Sequence, residues 1–307
     1  MATEPSDRTI VLSLLRGAVP EQADTLCELW LEHGHDLEVA PSSRGATMNS
    51  TSKRIKFDTK TIDFFWLMGF TLWRAIELYS PAIVCATGTG IAIDQVLDGD
   101  DERPRLELEF RQRISTTAAL LDASATDDIS WPGDIPKPAA DRDALKDEQE
   151  KSTFDLVLLA LAFTILHELR HVMFRKTGDA PEEAYEEEMA CDTWARVTMT
   201  SNVATYASDN GHTFAEVTQK RATGIALAAI IVHAMTSPIA RWGNDEYPPI
   251  ADRLTAMIAD HALPDNSNFW LYTACLLVAA LRQDRRSLDV SGDSYMAMVE
   301  TLLDRLR

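Results

Sequence analysis

The feature that most constrains this chain is an apolar run that ends in a polar pentapeptide. Residues 156–166 are apolar around the whole circumference of a helix, which is typical of a helix buried inside a protein. The run leads directly into HELRH at residues 167–171. Two imidazoles and a carboxylate at a buried helix end are costly unless a partner satisfies them. We therefore expect a metal there; the alternative is a helix that leaves the core and has a solvated end.

The pentapeptide has the HExxH spacing of zinc hydrolases. Side chains four residues apart on a helix lie one turn above each other, so His167 and His171 can direct two nitrogens at one metal ion. Glu168 lies beside them and can accept a proton from a metal-bound water, whose pKa zinc lowers from about 15.7 to near 7. The spacing predicts two ligands and a general base.

A catalytic zinc takes a third protein ligand and keeps a fourth position for water. Downstream, Glu188 and Asp192 are also spaced by four and share a helix face. Glu188 can complete a His-His-Glu set, while Asp192 can accept the second N–H of a ligating imidazole. The alternative is a solvated acidic first turn, and we assign that role to the neighbouring acids Glu182, Glu183, Glu186 and Glu187.

These motifs resemble the glutamate-zincin arrangement, in which HExxH is followed by ExxxD on a second helix. Within that clan the chain is most similar to the Lit-type phage-exclusion peptidases, in its length, its apolar helix running into HELRH, and its EMACD segment at 188–192. The segment YPPIADRL at 247–254 is similar to the His-Pro-Pro and arginine motif of related bacterial peptidases, with Tyr247 where histidine is expected. The resemblance implies a zincin-like helix pair, one Zn²⁺ per chain, and cleavage of an intracellular protein in defence against phage.

A peptidase of this type also needs a donor to the oxyanion, and the sequence does not single one out. The resemblance suggests Tyr247, Arg253, His212 and His233, since relatives use a downstream tyrosine, histidine or arginine. We place Tyr247 first. His233 ends an apolar helix and is more typical of a core residue, His212 lies in a turn, and Arg253 can instead pair with a carboxylate.

Composition narrows the class of partner and the compartment. The chain has 307 residues, 46% of them hydrophobic and 25% charged, as in soluble globular proteins. A net charge of −19 argues against nucleic acid, and we expect a protein or peptide substrate. The start of the chain does not resemble a secretory signal, so a cytoplasmic location is expected. Four widely spaced cysteines favour reduced, buried thiols: Cys27, Cys85, Cys191 and Cys275.

Three apolar runs have to be weighed as membrane spans: 156–166, 224–235 and 269–281. All are shorter than the roughly 18 to 20 apolar residues that cross a bilayer. We therefore expect buried core helices; the alternative is insertion, since some related zinc peptidases are membrane proteins.

The chain as a whole is predicted to be mainly α, or α+β with at most a small sheet. We divide it into an N-terminal helical region with a substrate-side strand (1–121), an exposed connection or lid (122–150) and a helical metallopeptidase core (151–307). Apart from the two metal helices, periodicity predicts helices at 21–32, 61–79, 214–235, 250–261, 268–283 and 294–306.

Four segments receive other predictions. Residues 9–15 suggest a short strand and 40–53 a loop, while 87–90 read as a turn because no lysine or third glycine completes a phosphate-binding motif. Residues 105–114 fit both a half-buried strand and an i, i+4 helix. As a strand, this segment would be a candidate for the edge along which zinc peptidases bind extended substrates.

We therefore interpret the chain as a zinc-dependent endopeptidase. The enzymatic alternative is a zinc hydrolase of a small non-peptide substrate, which would have a small closed pocket in place of an open groove. The non-enzymatic alternative is a helical interaction protein whose metal is structural or absent. A structural zinc is closed by four protein ligands, whereas our interpretation predicts three.

Overall fold

Helices dominate the described part of the chain, so the mainly α prediction is confirmed. The computed structural model describes residues 7–33, 36–39, 48–51, 54–99, 103–138, 141–244, 247–258 and 261–307. Its longer helices are α1 (Asp7–Ala18), α2 (Ala23–His33), α3 (Thr59–Thr89), α4 (Ile93–Asp98), α5 (Arg103–Asp122), α6 (Glu148–Thr177), α7 (Ala184–Thr200), α8 (Val203–Asn210), α9 (Phe214–Met235), α10 (Ile250–Ile258), α11 (Asn268–Gln283) and α12 (Tyr295–Leu306).

The apolar run forms the middle of α6, the helix on which the rest of the fold is arranged. The side chain of Asp147 caps its start by accepting from the backbone N–H of Glu150 at 2.8 Å. Arg175 and Lys176 lie in its last turn, where cations suit the helix dipole. Between these ends α6 packs against α3, α7 and α9, which explains why it is apolar all round.

Two glycines allow the helices to approach α6 closely. A Cβ on Gly69 of α3 would lie 2.3 Å from Cγ2 of Val157, and a Cβ on Gly224 of α9 would lie 2.5 Å from Cβ of Leu159. Neither distance is compatible with a side chain at that position. The absence of a side chain therefore sets the separation of both helix pairs and fixes α6 between them.

Three short strands form a small sheet in the order β1-β3-β2: β1 (Asp36–Val39), β2 (Met48–Ser50) and β3 (Arg54–Phe57). β1 pairs parallel to β3, with Leu37 opposite Ile55, and β2 pairs antiparallel, with Ser50 opposite Ile55. Among the described strands β2 therefore has a neighbour on one side only. It also packs against α6.

The strand predicted at 9–15 was wrong, and residues 105–114, whose pattern fits both a strand and a helix, form a helix. Residues 9–15 belong to α1, whose buried Val11, Leu15 and Ala18 follow helical spacing. Residues 105–114 belong to α5, so the substrate-side strand is not there. Leu108 of the supposed apolar face is 57% exposed, while Phe110 is buried against Tyr79 of α3. The i, i+4 alternative was the right one for this segment.

Other boundaries differ less. The loop predicted at 40–53 contains strand β2; residues 40–47 and 52–53 lie outside the described residues. Residues 87–89 continue α3, which ends at Gly90, so the turn prediction was wrong. The predicted helix 250–261 ends at Ile258. In the connection at 122–150, Ile135 is buried and the carbonyl of Pro136 accepts a 2.7 Å hydrogen bond from Trp66 of α3.

Helix α6 is longer than the apolar run suggested. By length and composition it could cross a membrane, but 78% of its most apolar 18-residue window is buried among the other helices. A core helix of this kind satisfies the same criterion as a membrane span.

Candidate metal centre

Helices α6 and α7 bring the three predicted ligand residues to one point. The Nε2 atoms of His167 and His171 are 3.1 Å apart. Glu188, on α7, places Oε1 3.2 Å from Nε2 of His171 and Oε2 3.5 Å from Nε2 of His167. Both imidazoles are buried and Glu188 is largely shielded. The two imidazole nitrogens and the Glu188 carboxylate, which turns a different oxygen towards each histidine, thus form a small triangle of three ligand groups.

The triangle has the dimensions of a tetrahedral metal site. For a metal such as zinc, bonds of about 2.0–2.2 Å to imidazole and carboxylate place the ligand atoms about 3.3–3.6 Å apart. The observed separations of 3.1, 3.2 and 3.5 Å are close to this range. The residues could therefore hold a metal ion, with a further position on the open side of the triangle.

The outer nitrogen of each histidine faces a carboxylate. Nδ1 of His167 lies 2.8 Å from Oδ1 of Asp192, and Nδ1 of His171 lies 2.6 Å from Oε1 of Glu187. A carboxylate at this position accepts the Nδ1 proton, which leaves the Nε2 lone pair free to bind a metal and raises its basicity. Glu187 thus orients the His171 ring through a hydrogen bond, and Asp192 lies within ion-pair distance of the His167 ring.

Glu187 is a site residue that sequence reasoning missed. The sequence places it in a solvated acidic turn, and that prediction is wrong. Glu186 and Glu187 are alike in sequence, but Glu186 is exposed whereas Glu187 faces His171. The only signal was its position directly before Glu188, which has meaning once the phase of α7 against α6 is known.

Arg253 of α10 holds the two acids of α7. Its Nε donates to Oδ2 of Asp192 at 2.7 Å and Nη2 donates to Oδ1 at 2.9 Å, while Nη1 lies 3.3 Å from Oε2 of Glu188. This bidentate contact fixes Asp192 and steadies Glu188. The arrangement suits a positioning role; donation by Arg253 to an oxyanion stays a prediction.

These contacts determine which groups are charged. Burial alone would raise the pKa of Asp192, but Arg253 and His167 outweigh it and lower that pKa to about 2. Burial would raise the pKa of Glu188 as well, and the two histidines hold it well below its usual range. Burial lowers the pKa of His167, yet the charge of Asp192 and the contacts with both acids raise it to about 10. The acids are therefore ionised, and the centre favours positive charge.

A cavity of about 440 Å³ opens beside the triangle. Glu168 lines it next to the two histidines, and Tyr247, which is 53% exposed, lies at its rim. Strand β2 contributes Ser50, whose carbonyl and hydroxyl oxygens accept from Arg175 of α6 at 2.5 and 2.7 Å. Its apolar wall comes from several elements: Met48, Phe65, Phe163, Val232, Met235 and Met257.

The other two histidine candidates lie elsewhere. His233 is buried and its Nε2 lies 3.3 Å from Oδ2 of Asp284. His212 is exposed and stacks on Tyr206 with ring centres 6.1 Å apart. Neither residue lines the cavity beside His167. Of the four predicted donors, Tyr247 and Arg253 line this cavity.

Comparisons with known proteins agree with a peptidase. The model of the family described as peptidase U49 matches residues 55–273, which include all the residues of the centre. A protein of Escherichia coli (strain K12) named "Cell death peptidase" is 20% identical over 260 residues, which cover 83% of this chain and 79% of the relative. No solved structure is significantly similar.

Proposed function

The chain belongs to the peptidase U49 family, and on this premise we propose that it is a zinc-dependent endopeptidase that cleaves an intracellular protein. One observation carries the proposal: Nε2 of His167, Nε2 of His171 and the carboxylate of Glu188 lie 3.1 to 3.5 Å from one another. Two nitrogens and one oxygen at this separation suit zinc, and three protein ligands leave the position that catalysis needs.

The residues divide the chemistry between them. When bound, zinc supplies a Lewis acid that polarises the scissile carbonyl and acidifies a water. Glu168, which follows His167 and lines the same cavity, accepts the proton of the attacking water and returns it to the leaving amine. Tyr247 at the rim is the proposed donor to the oxyanion. Asp192, Glu187 and Arg253 keep the ligands oriented.

Strand β2 is the proposed support for an extended substrate. Among the described strands its second edge is unpaired, and it lines the cavity through Met48 and Ser50. A peptide can add to such an edge through main-chain hydrogen bonds, with alternate side chains in pockets. We therefore propose β2, and not residues 105–114, as the edge strand along which an extended substrate binds.

An open cleft favours a peptidase over a hydrolase of small molecules. Tyr247 and Arg175 both line the cavity and are both exposed, so it is continuous with solvent. The apolar wall suits large hydrophobic side chains of a peptide. We extend the proposal to defence against phage on the resemblance to Lit-type peptidases alone.

The test combines metal analysis with the mapping of new protein termini in cells that express the chain. We expect about one zinc per purified chain and new termini in at least one cellular protein. Glu168→Gln is expected to keep the zinc and to lose cleavage by about 10²–10⁴-fold, the usual contribution of a general acid–base group. Glu186→Gln, an exposed change on α7, is the matched control and is expected to leave both unchanged. Full cleavage by Glu168→Gln would defeat the mechanism, and a purified active chain without zinc would exclude the metal.

A further inference from the structure

Three large apolar side chains near the cleft are exposed to solvent. Ile239, Trp242 and Tyr247 are 88%, 62% and 53% exposed. They belong to the loop that runs from Thr236, at the end of α9, to the start of α10, and both Thr236 and Tyr247 line the cleft. Single exposed apolar residues are normal on any protein, but three within nine residues form a patch.

Polar contacts hold the first half of this loop in place. Nε of Arg241 donates to the carbonyl oxygens of His233 at 3.2 Å and Thr236 at 3.0 Å, and Nη1 donates to Oδ1 of Asp284 at 2.5 Å. These contacts attach the loop to the end of α9. Arg241 lies between the exposed Ile239 and Trp242, so the segment that carries both residues is tethered to the helix end.

The second half folds back onto the rim of the cleft. Gly243 has φ 75°, and a Cβ there would lie 2.7 Å from the carbonyl oxygen of Tyr247, so a side chain does not fit. The N–H of Asn244 donates to that same oxygen at 2.9 Å, and the N–H of Tyr247 donates to Oδ1 of Asn244 at 2.8 Å. The backbone of Trp242 is therefore held close to that of Tyr247. Ile239 is three residues from Thr236, so their Cα atoms are at most about 11 Å apart.

We propose that Ile239 and Trp242 form an exosite, a surface that binds an apolar segment of the protein substrate outside the residues that enter the cleft. The proposal rests on the peptidase function and names the substrate as a protein with such a segment. The patch is continuous with the cleft through Thr236 and Tyr247. Tryptophan is enriched among the few side chains that supply most of the binding energy of protein contacts.

Two other occupants fit less well. Two or three side chains bury a few hundred Å² at most, whereas a stable dimer buries about 800 Å² on each partner. A membrane surface attracts loops flanked by lysines and arginines. Here Arg241 of the loop is paired with Asp284, Arg286 lies 5.5 Å from the ring of Trp242, and the chain carries a net charge of −19. A weak contact that assists the cleft matches the size and charge of the patch.

The experiment compares two substrates with the full-length enzyme. One is the protein in which the wild-type chain creates a new terminus; the other is a synthetic peptide of about twelve residues that spans only this cleavage site. For Ile239→Ser/Trp242→Ser we expect kcat/KM to fall by at least about 30-fold on the protein, the effect of removing a binding hot spot. We expect less than about 2-fold on the peptide, which also shows that the variant folds.

Phe214→Ser is the matched control. Phe214 is an exposed aromatic residue at the opposite end of α9, about 32 Å from the loop, and its replacement is expected to change neither rate by more than about 2-fold. An equal loss on protein and peptide, or no loss on either, would overturn the exosite and leave the peptidase intact. The absence of any cleaved protein with the wild-type chain would overturn the proposed function itself.

Two further measurements address the other occupants. Co-sedimentation with vesicles of phosphatidylglycerol and phosphatidylethanolamine, and light scattering over a range of protein concentrations, are both expected to give the same result for wild type and the double variant. Vesicle binding or self-association that the double variant loses would assign the patch to a membrane or to a second copy, and would overturn the exosite.

Discussion

The two ends of the α6–α9 pair each border a cavity lined by charged side chains, and they differ in their charge balance. At the metal end, four carboxylates lie around the cleft and its two histidines, whereas among the described residues only two guanidiniums, those of Arg175 and Arg253, line it. The acids come from both metal helices: Glu168, Glu187, Glu188 and Asp192. Arg253 is held by two of them, while Arg175 reaches across to β2.

At the far end the charges pair with one another. Nη2 of Arg221 donates to Oε2 of Glu21 at 2.7 Å, and this pair is almost fully buried. Asp155 accepts from Nε of Arg142 at 2.7 Å and from Lys220 at 2.8 Å. A cavity of similar size, about 510 Å³, is lined by Arg142, Asp155, Lys220 and Arg221. Glu21 and Asp155 each have at least one cation as a partner, while the exposed Glu216 at the same cavity accepts from Thr213.

The difference in charge balance indicates a structural role for the far end and a metal-binding role for the other. Buried charges are tolerated when they are paired, and the far end satisfies this rule with its own residues. At the metal end the four carboxylates outnumber the two arginines, and one of these carboxylates converges with two imidazoles. Pairing within the protein therefore characterises a structural cluster, whereas an unbalanced cluster with converging lone pairs indicates a metal site.

The largest effect is expected from removing a ligand at the metal end. In Glu188→Ala the triangle loses its oxygen, so we expect zinc content to fall from about one per chain to near zero. Cleavage should fall by well over 100-fold, more than the 10- to 100-fold expected for an outer partner of a ligand. Elemental analysis and cleavage assays measure both. Glu186→Ala, an exposed change on the same helix, should behave as wild type. Normal zinc content in Glu188→Ala would show that this end does not bind zinc through Glu188, and the two ends would then not differ as proposed.

The second effect is on folding stability at the far end. Glu21→Ala leaves Arg221 buried without its carboxylate, and breaking a buried pair in this way costs about 3–5 kcal/mol. Urea unfolding should show this loss while zinc content stays near one per chain. The double variant Glu21→Leu/Arg221→Met should recover most of the stability, because it removes both charges. Loss of zinc in Glu21→Ala would mean that the two ends are not independent.

Much of the metal end could be predicted because its signals are local. The HExxH spacing places His167 and His171 on one helix face, and an ExxxD spacing does the same for Glu188 and Asp192. Two such faces need only a single helix contact to meet. The apolar run before the histidines predicted the buried helix that presents them.

The remainder depends on contacts that the sequence does not encode locally. Glu187 and Glu186 differ only in which side of α7 faces α6. Residues 105–114 have an apolar pattern that fits both periods, and burial of Phe110 against α3 decides for a helix. The Glu21–Arg221 pair joins residues 200 positions apart, and no spacing rule relates them.

A smaller effect tests the residue that the sequence did not reveal. Glu187→Ala removes the carboxylate that orients His171, so zinc affinity is expected to fall by about 10- to 100-fold. Competition with a metal chelator measures this change, and stability of the metal-free protein should be nearly unaltered because Glu187 is partly exposed. Glu186→Ala is again the control. If Glu187→Ala and Glu186→Ala bind zinc with equal affinity, Glu187 does not orient His171 and is only a solvated surface residue.

The smallest effect is the pH dependence of the far end. Burial raises the pKa of Asp155, but hydrogen bonds from Arg142 and Lys220 outweigh it and hold that pKa below 3.8. A carboxylate with a lowered pKa stabilises the fold at pH values above its unfolded pKa of about 3.9, and this contribution is lost as pH falls through the folded pKa. Asp155→Asn should therefore be less stable than wild type at pH 6, by up to about 1 kcal/mol for so exposed a cluster.

The gap between Asp155→Asn and wild type should narrow as the pH falls below about 3.9 and close only below the lowered pKa of the folded carboxyl, where the wild-type group is neutral as well. Urea unfolding of the metal-free proteins at pH 6 and pH 3 measures it, with the exposed Asp209→Asn as the control. Metal-free protein is required because acid also displaces a metal from histidine ligands. A gap that does not narrow between pH 6 and pH 3 would show that Asp155 stabilises the far end through its shape, and not through its paired charge.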